Sequence, residues 1–285
     1  MKIYIQSNPQ QEVAAKIAKH TFLKHGAKNI ILLNLFENRT LIKNFGKTYL
    51  RNGKLIKFNP DDLQSFTLLR FYPLDLISDE ICLVIDPDVF AISNPYQIIN
   101  KIDDQFDIFC TKINNKYKSE VMLLNGKNKK WKFNQLIDDL FKKKIDYSHL
   151  MELKFNDNIK IGLLEEKYNH HDIIKNDTVF LHTTSRITQP WKCGANVDFT
   201  RNTSKLEYFK NLLKKILRLK YNDDLISKKY LMHPNKEIYD YVLKNFAEAI
   251  NNNILSFNEI EEAMRRNFIG NYFFSDLKIY LKKIK

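Results

Sequence analysis

The sequence has few cysteines, few glycines and prolines, and no long apolar run. Cys82, Cys110 and Cys193 lie far apart and form no C-x-x-C pair, which argues against a disulfide framework and for a reducing compartment. With 7 Gly and 7 Pro in 285 residues, long flexible linkers are not expected. No apolar run approaches the ~20 residues that span a bilayer, and residues 1–12 turn polar too early for a signal peptide. We therefore expect a cytoplasmic protein.

The chain carries an excess of positive charge. It has 46 Lys+Arg against 33 Asp+Glu, a formal net charge of +13. Such a field attracts polyanions: nucleic acid, anionic lipid headgroups, or a phosphate-bearing substrate. The alternative is an ordinary solvated surface, because the sequence is rich in Lys, Asn and Ile throughout. Hydrophobic residues at 44% and charged residues at 28% are typical of a globular protein.

The first segment predicts a β-α-β unit. Residues 2–6 have the pattern of a strand, and Ser7 and Asn8 then offer an N-cap with Pro9 at the first helical position. Apolar residues recur at helical spacing up to Gly26, and residues 30–35 predict a buried second strand. Such a unit favours a parallel sheet with helices on its faces.

The rest of the chain predicts an α/β domain followed by helices. Residues 36–58 predict a loop or an edge hairpin. Residues 59–62 repeat the helix-start pattern, for a helix running through Arg70 towards Pro73. Further strands are predicted over 80–85, 107–113, 120–124 and 178–183, and a helix over 133–145. After about residue 202 the pattern is helical, with a break at His233-Pro234. We therefore predict an α/β domain over 1–202 and a helical region over 203–285.

Asp86-Pro87-Asp88 directly follows the apolar run 83–85. Ligands of open α/β sheets bind outside the carboxyl ends of the strands, and two carboxylates there are costly to desolvate unless a cation joins them. Mg²⁺ or Mn²⁺ fits, because such ions prefer oxygen ligands and bridge to substrate phosphates. The alternative is an exposed turn with two incidental aspartates, for which Asp-Pro-Asp is also suitable.

Other blocks of sequence surround this motif in a fixed order. FTLLRFYP (66–73) precedes CLVIDPDVF (82–90), KSEVMLLN (118–125) follows, and FLHTT (180–184) with QPWK (189–192) comes last. In this order and spacing, the blocks resemble glycosyltransferase family 8 and its relatives. The third block resembles the strand that lines the donor-sugar pocket, and the last two resemble the closing H-x-x-G-x-x-K-P-W motif. The resemblance extends from residue 2 to about residue 192.

The resemblance implies a GT-A fold, with a Rossmann-like mixed, mainly parallel sheet flanked by helices. It implies an enzyme of polysaccharide biosynthesis that moves a hexose-type sugar from a nucleotide diphosphate sugar, expected to be a UDP-sugar. The acceptor would be a glycan, a lipid-linked molecule or a protein. The reaction would depend on Mn²⁺ or Mg²⁺ and would retain the anomeric configuration.

The same resemblance implies the site residues. Asp86 and Asp88 would be metal ligands, with His182 as the third. Arg70 would sit near the diphosphate or sugar as a planar donor, and Lys192 would neutralise the β-phosphate as the bond to the sugar breaks. The nucleotide-sugar would also be contacted by Asp86 itself and by Gln6, Ser7 and Ser119.

The resemblance is incomplete in the closing motif and at the catalytic position. Ser185 stands where the family has Gly, Gln189 replaces the Lys before Pro-Trp, and His182 is one residue further from Pro190 than in the pattern. The acidic or amide residue on the far face of the sugar has no clear counterpart. Position alone offers Glu120, Asn169 and Asp172, of which Glu120 and Asp172 are the catalytic candidates.

Two other features invite a functional interpretation. His170 and His171 are adjacent, and adjacent residues of a strand point to opposite faces, so we expect a polar loop rather than a second metal site. Trp131 and Trp191 are expected to be packing anchors.

The segment 205–220 has the pattern of an amphipathic helix. One interpretation is that it lies on an anionic membrane, at the inner face of the cell membrane, near a lipid-linked acceptor. The other is a helix packed on the main domain with a charged outer face. Its apolar stripe consists of Leu206, Phe209, Leu213, Ile216 and Leu217, and its basic residues are Lys205, Lys210, Lys214, Lys215, Arg218 and Lys220.

Two alternative functions remain open on the sequence. A phosphatase of the haloacid-dehalogenase type also places Asp-x-Asp after an apolar strand, with the first Asp as nucleophile and Mg²⁺ as cofactor. That motif normally lies on the first strand of its domain, whereas ~80 residues precede Asp86. A basic nucleic-acid-binding module would explain the charge, but no nucleic-acid-binding motif is present, so we expect no nucleic-acid partner.

Overall fold

The computed structural model describes residues 1–200 and 204–284. The chain divides into two compact units: Met1–Asp61 with Ser65–His182, and Asp62–Gln64 with Thr183–Lys285. The boundary predicted at residue 202 therefore falls inside the second unit. Residues 183–200 group with the helices because the backbone around Trp191 bonds to them, for example through Gly270 N to Trp191 O at 2.8 Å.

The first unit is an α/β structure. Its strands are β1 (Lys2–Ser7), β2 (Ile30–Asn34), β3 (Thr48–Arg51), β4 (Lys54–Lys57), β5 (Ile81–Ile85), β6 (Val89–Ala91), β7 (Ile108–Ile113), β8 (Lys116–Asn125), β9 (Ile161–Leu163), β10 (His170–His171) and β11 (Phe180–His182). Its helices are α1 (Glu12–Lys24), α2 (Arg39–Ile42), α3 (Pro73–Leu76), α4 (Phe133–Phe141) and α5 (Tyr147–Met151). Four 3₁₀ turns span Leu35–Glu37, Ser65–Phe71, Pro95–Lys101 and Glu166–Tyr168.

The main sheet has the strand order β2-β1-β5-β8-β7-β9. The pairs β1–β2, β1–β5 and β7–β9 are parallel, whereas β8 runs antiparallel to both of its neighbours. The predicted fold class, a mixed and mainly parallel sheet flanked by helices, is confirmed. β5 lies inside the sheet, between β1 and β8, and its residues from Cys82 onward are all buried. One hydrophobic cluster joins β5, β8 and α4 through residues such as Val84, Met122 and Leu140.

A second, small sheet positions the candidate site. Its order is β10-β11-β6, with β11 antiparallel to β6 and parallel to β10. β6 begins immediately after Asp88, and the register places His182 opposite Val89. The chain that leaves the Asp-Pro-Asp motif is therefore paired directly with the strand that carries His182.

Several predicted elements need correction. The first helix begins at Glu12 rather than at Pro9, because Asn8 accepts from the backbone N–H of Gln11 and holds the intervening residues in a turn. The segment after residue 59 is not an α-helix. Asn59 and Asp62 instead accept from backbone N–H groups two residues ahead, a competing local bond typical of these residues, and a 3₁₀ turn follows over Ser65–Phe71.

Three further corrections concern strands and a helix end. β2 is an edge strand with Ile31 exposed rather than a buried strand. α4 ends at Phe141, short of the predicted residue 145, because Lys143 takes a positive φ of 62°. His170 and His171 form a short strand, so the prediction of a polar loop is wrong. The region predicted as a loop or edge hairpin contains the β3–β4 hairpin.

The second unit is helical, as the sequence predicts. Its helices are α6 (Lys205–Ile216), α7 (Asp223–Ile226), α8 (Lys236–Asn251), α9 (Phe257–Arg265) and α10 (Asn271–Ile284). Two 3₁₀ turns, Arg186–Thr188 and Pro190–Lys192, precede them. Trp191 is fully buried, as expected of a packing anchor, and a Cβ at Gly270 would lie 1.8 Å from the carbonyl oxygen of Cys193. None of the helices in the described parts of the chain has the length and apolar character needed to cross a bilayer.

Candidate metal centre

Asp86, Asp88 and His182 converge although the last two are 94 positions apart in the sequence. Val89 N bonds to Asp86 O at 3.2 Å and closes a turn over Pro87. The chain then enters β6, which lies against the strand that ends at His182. One ligand atom from each of the three side chains lies within 4.8 Å of the others, and all three residues are buried. The structure thus brings together the residues that the resemblance implied as metal ligands.

Asp86 is held in place by two neighbours. Arg70 donates from Nε to Oδ1 at 2.8 Å and from Nη2 to Oδ2, and Gln6 Nε2 donates to Oδ1 at 2.5 Å. Arg70 is itself fixed, because its Nη1 donates to Ser119 Oγ at 2.8 Å. Since an ionised carboxylate offers about four lone-pair sites, these bonds still leave Asp86 able to contact a cation.

His182 is oriented by Asn169. His182 Nδ1 lies 2.9 Å from Asn169 Oδ1, while Asn169 Nδ2 donates to Thr111 Oγ1 at 3.1 Å. The amide oxygen can only accept, so Nδ1 carries the proton and Nε2 faces Asp88 at 3.4 Å from Oδ1. A histidine ligand commonly donates its other ring N–H in this way, and that bond sets the tautomer and the ring orientation.

The electrostatics of the cluster favour a cation. Burial raises the pKa of Asp86 to about 6, despite the opposing charge of Arg70. Burial alone would lower the pKa of His182, but the carboxylate of Asp88 outweighs it and the pKa is raised. Two aspartates are thus buried beside one guanidinium and one imidazole. A divalent ion would compensate the negative charge of the two aspartates, and carboxylate oxygens with one imidazole form a donor set that such an ion can accept.

Polar atoms around the cluster are positioned to meet a ligand. Among the described residues, Gln6 Oε1, Glu120 Oε2 and His171 Nε2 are buried and have no hydrogen-bond partner. Gln6 bonds to Asp86, and the ring of His171 packs edge-on against His182 with centroids 5.2 Å apart. Because buried polar groups are nearly always paired in folded proteins, this grouping fits a place that receives a polar molecule.

Glu120 is a buried carboxylate next to the cluster, and its Oε2 has no hydrogen-bond partner among the described residues. Burial would raise its pKa, but Arg70 and His182 outweigh this and lower it, so the group is ionised at neutral pH. The other catalytic candidate, Asp172, has a positive φ of 51° and bonds through its N–H to His182 O at 2.9 Å. Both candidates thus lie near His182, and their catalytic roles stay predictions.

The hydroxyl groups of Ser7 and Ser119 bond to other parts of the protein, which fits a structural role. Ser7 Oγ donates to Leu33 O at 3.4 Å, and Ser119 Oγ donates to Met151 O at 2.8 Å as well as accepting from Arg70. Their contacts with a nucleotide-sugar, like those of Gln6 and Arg70, stay predictions.

Lys192 belongs to the second unit and is fully buried. Its Nζ lies 2.6 Å from Asp198 Oδ2, and it faces the rings of Tyr230 and Phe268 at 5.6 and 5.7 Å from their centroids. Burial lowers its pKa, although Asp198 opposes the effect. This ion pair would have to open before Lys192 could reach a phosphate, so its predicted role remains a prediction.

Sequence reasoning missed the supporting residues of the site. Asn169 was a positional candidate for catalysis, yet it orients His182. Thr111 and Met151 had no signal at all, because their contacts join residues that are far apart in the chain. Gln6 was predicted to contact the nucleotide, and its bond to Asp86 was not foreseen.

Comparisons with known proteins identify similar folds only. No family model matches the chain, and no curated protein sequence matches it. Similar solved structures include the glycosyltransferase GlyE of Streptococcus pneumoniae TIGR4, at 18% identity over 67% of this chain and 56% of that chain, with a TM-score of 0.47. They also include the galactosyltransferase LgtC in complex with donor and acceptor sugar analogs, at 14% identity over 67% and 89%, with a TM-score of 0.44. The bifunctional glycosyltransferase WbbM matches at 11% identity over 89% and 51%, with a TM-score of 0.40. The match spans little more than half of GlyE, and none of these likenesses assigns chemistry to the present chain.

Proposed function

We propose that this chain is a metal-dependent glycosyltransferase. It moves a hexose-type sugar from a nucleotide diphosphate sugar, with a UDP-sugar as the expected donor, to a hydroxyl of a glycan, lipid-linked or protein acceptor. The observation that carries this proposal is the buried cluster of Asp86, Asp88 and His182 at the strand ends. Buried carboxylates with an oriented imidazole suit a divalent ion that also binds a diphosphate.

Each residue of the cluster has a distinct task in this proposal. Asp88 and His182 hold the cation through the carboxylate and Nε2, and Asn169 keeps the imidazole in the required tautomer. Asp86 is the third ligand and is kept in position by Arg70 and Gln6. The bound ion supplies positive charge to the leaving diphosphate, which is where negative charge develops during transfer.

In this proposal Glu120 acts on the transferred sugar. Glycosyl transfer passes through an oxocarbenium-like state, and an ionised carboxylate nearby stabilises that positive charge. Glu120 is ionised and offers a buried oxygen that has no partner within the described residues. A carboxylate in this role is compatible with retention of configuration by a front-face displacement, which requires no covalent intermediate. Asp172 is the alternative for the same task.

A haloacid-dehalogenase-type phosphatase is less well supported. Its nucleophile would be Asp86, but both oxygens of that carboxylate accept hydrogen bonds from Arg70 and one also accepts from Gln6. The ion pair and these hydrogen bonds stabilise the carboxylate of Asp86 and so lower its reactivity as a nucleophile, although they leave lone pairs that a cation can use. In addition, the strand that precedes Asp86, β5, follows a complete β-α-β unit and pairs antiparallel with β8. The phosphatase motif, in contrast, normally lies on the first strand of its domain.

A thermal-shift screen tests the proposal. The full chain is heated with UDP-, GDP- and CMP-sugars, each with and without Mn²⁺. A donor that binds the folded state alone raises the melting temperature, and we expect the largest rise for a UDP-sugar with Mn²⁺. Release of UDP in the presence of Mn²⁺ is the matching activity readout.

Two outcomes would contradict the proposal. One is that no nucleotide-sugar stabilises the chain; the other is that Asp86→Asn with Asp88→Asn leaves the shift intact. The variant Asp103→Asn with Asp104→Asn is the matched control, because it makes the same chemical change on an exposed loop. Trapping of a phospho-Asp86 intermediate would favour the phosphatase, and metal-independent binding to nucleic acid that weakens steeply with salt would favour a nucleic-acid module.

A further inference from the structure

Helix α6 presents its apolar residues to solvent. The exposed fractions are 65% for Leu206, 57% for Phe209, 44% for Leu213, 67% for Ile216 and 65% for Leu217. At about 100° per residue these five side chains form one continuous stripe. A helix of a globular protein normally turns such a stripe towards the core, whereas the stripe of α6 is exposed, as are the lysines of residues 210–216 on the rest of the helix.

The inner side of α6 is held by a polar residue. Asn211 is buried; its Oδ1 accepts from Asn222 N at 3.1 Å, and its Nδ2 donates to Glu207 O at 3.0 Å. Ser204 caps the helix by accepting from Glu207 N at 3.1 Å. Of these bonds, the one from Asn222 ties α6 to the segment that follows it, on the side opposite to the exposed apolar residues. An exposed contiguous apolar patch of this kind marks an interaction site.

The charge around the stripe indicates the partner. Residues 204–220 contain six basic residues and one acidic residue, Glu207. By the same helical spacing, Lys210 and Lys214 border the stripe. Lysine side chains at such a border can extend their charged ends away from the apolar surface. Apolar residues flanked by lysines fit the boundary between acyl chains and anionic headgroups.

We propose that α6 docks this protein on an anionic lipid surface. The stripe enters the acyl boundary, and the flanking lysines bind the headgroups. A second copy of the chain fits less well, because two α6 faces would bring like charges together. The surface is formed within the second unit, and its role does not depend on the donor site of the first.

Flotation with lipid vesicles tests this proposal on the full chain. We expect binding to phosphatidylcholine vesicles that contain phosphatidylglycerol, weaker binding to pure phosphatidylcholine, and a loss of binding as salt screens the headgroups. Leu206→Glu with Ile216→Glu should lower the vesicle partition coefficient at least tenfold. The control is Leu55→Glu with Leu163→Glu, two leucines of the other unit that are 60% and 62% exposed; it should bind as the unmodified chain does.

A second pair of variants separates the local charge from the net charge of the whole chain. Lys210→Gln with Lys214→Gln should weaken binding roughly ten- to thirtyfold, since each surface lysine near anionic lipid contributes about a factor of five. Lys54→Gln with Lys57→Gln removes the same charge from the exposed strand β4 and should have little effect. Phe209→Trp adds a direct readout, because its emission should shift to the blue and be quenched by brominated lipids.

The outcomes are decisive in either direction. Absence of binding to the anionic vesicles overturns the proposal, as does equal loss in the α6 variants and their controls, which would indicate attraction by net charge alone. If light scattering instead finds a dimer that Leu206→Glu with Ile216→Glu dissociates, and vesicles are not bound, the stripe is a self-association surface. Nucleotide-sugar binding, measured separately by thermal shift, is expected to be unchanged in all of these variants.

Discussion

Arg70 and Asp86 form a buried pair in which Nε and Nη2 of the guanidinium each donate to a different carboxylate oxygen. The carboxylate raises the pKa of Arg70 against the effect of burial, so the arginine stays charged. The pair links the 3₁₀ turn Ser65–Phe71 to the end of β5, and Ser119 on β8 completes the link. One aspartate of the candidate metal centre is therefore also part of the core of the fold.

This double role predicts different effects for the two aspartates. Asp86→Asn should lower the free energy of unfolding by about 3–5 kcal/mol, because it leaves a buried guanidinium without its charge partner. Asp88→Asn should cost less than about 2 kcal/mol and still abolish the Mn²⁺-dependent shift. Denaturant unfolding without metal measures the first effect. Arg70→Met with Asp86→Leu should recover most of the stability; equal stability of Asp86→Asn and Asp88→Asn would refute the structural role of the pair.

Asn169 is predicted to control metal affinity through His182. Asn169→Leu removes the acceptor for Nδ1–H, so the imidazole loses its fixed tautomer, and Mn²⁺ affinity should fall about 10–100-fold. Asn169→Asp keeps an acceptor at the same position and should retain most of the affinity. Titration calorimetry with Mn²⁺ distinguishes them. The orienting role fails if the leucine variant binds Mn²⁺ as tightly as the aspartate variant.

Glu120 and Asp172 are predicted to differ in catalysis. Glu120→Gln removes the negative charge near the transferred sugar and should lower kcat by roughly 10²–10³, with donor affinity changed less than about threefold. Asp172→Asn keeps the backbone N–H that bonds to His182 O and should retain most of the turnover. Single-turnover release of UDP and donor titration measure the two quantities separately. The reverse ranking of the two variants would transfer the role to Asp172.

Lys192 is predicted to stabilise the second unit. Lys192→Met leaves Asp198 with Tyr230 as its other partner, at 2.5 Å, and should cost about 1–3 kcal/mol because the half-buried carboxylate loses its counter-charge. Lys192→Met with Asp198→Asn should recover most of this loss. If the double variant is stable but inactive in UDP release, Lys192 also acts on the phosphate; if it is stable and active, the ion pair is structural alone.

Asp146 is predicted to produce a dependence of stability on acid pH. Burial would raise its pKa, but hydrogen bonds from Gly53 N, Ser148 and Asn52 N outweigh this and lower it to about 2. In the unfolded chain an Asp titrates near 3.9. As pH falls, the unfolded state therefore binds the proton first, and the contribution present above pH ~4 is lost on the way to about 2. Between about pH 4 and 2 the melting temperature should fall less steeply with pH for Asp146→Asn than for the unmodified chain. An equal slope for the two would contradict the lowered pKa of Asp146.

Local sequence signals were reliable where one segment determines its own environment. The apolar run before Asp86 predicted a buried strand because a strand covered on both faces needs continuous apolar residues. The β-α-β unit and the helical C-terminal region were predicted for similar reasons. The errors at Pro9, Asn59 and Lys143 arose where a side chain or a left-handed residue gave the backbone a local alternative to the helix.

The candidate site was only partly accessible to sequence reasoning. Asp86 and Asp88 were identified from their place after a strand, whereas His182 depended on the resemblance to a family. The bonds of Asp86 with Gln6 and of His182 with Asn169 join elements that meet only in the folded sheet, and no local pattern encodes such partners. The amphipathic pattern of α6 was visible in the sequence, but the side on which its stripe lies was not.

The sequence by itself determined the identity of the elements that carry the proposed function: a buried strand followed by two carboxylates, a second strand that contains a histidine, and a basic amphipathic helix. The tertiary structure alone decided that β6 pairs with β11, that Arg70 is bound to Asp86, that Lys192 is paired with Asp198, and that α6 faces outward. The physical reason is the distance along the chain over which each effect acts. Propensity and periodicity act over a few residues, whereas these contacts depend on strand register and packing between segments that are distant in the chain.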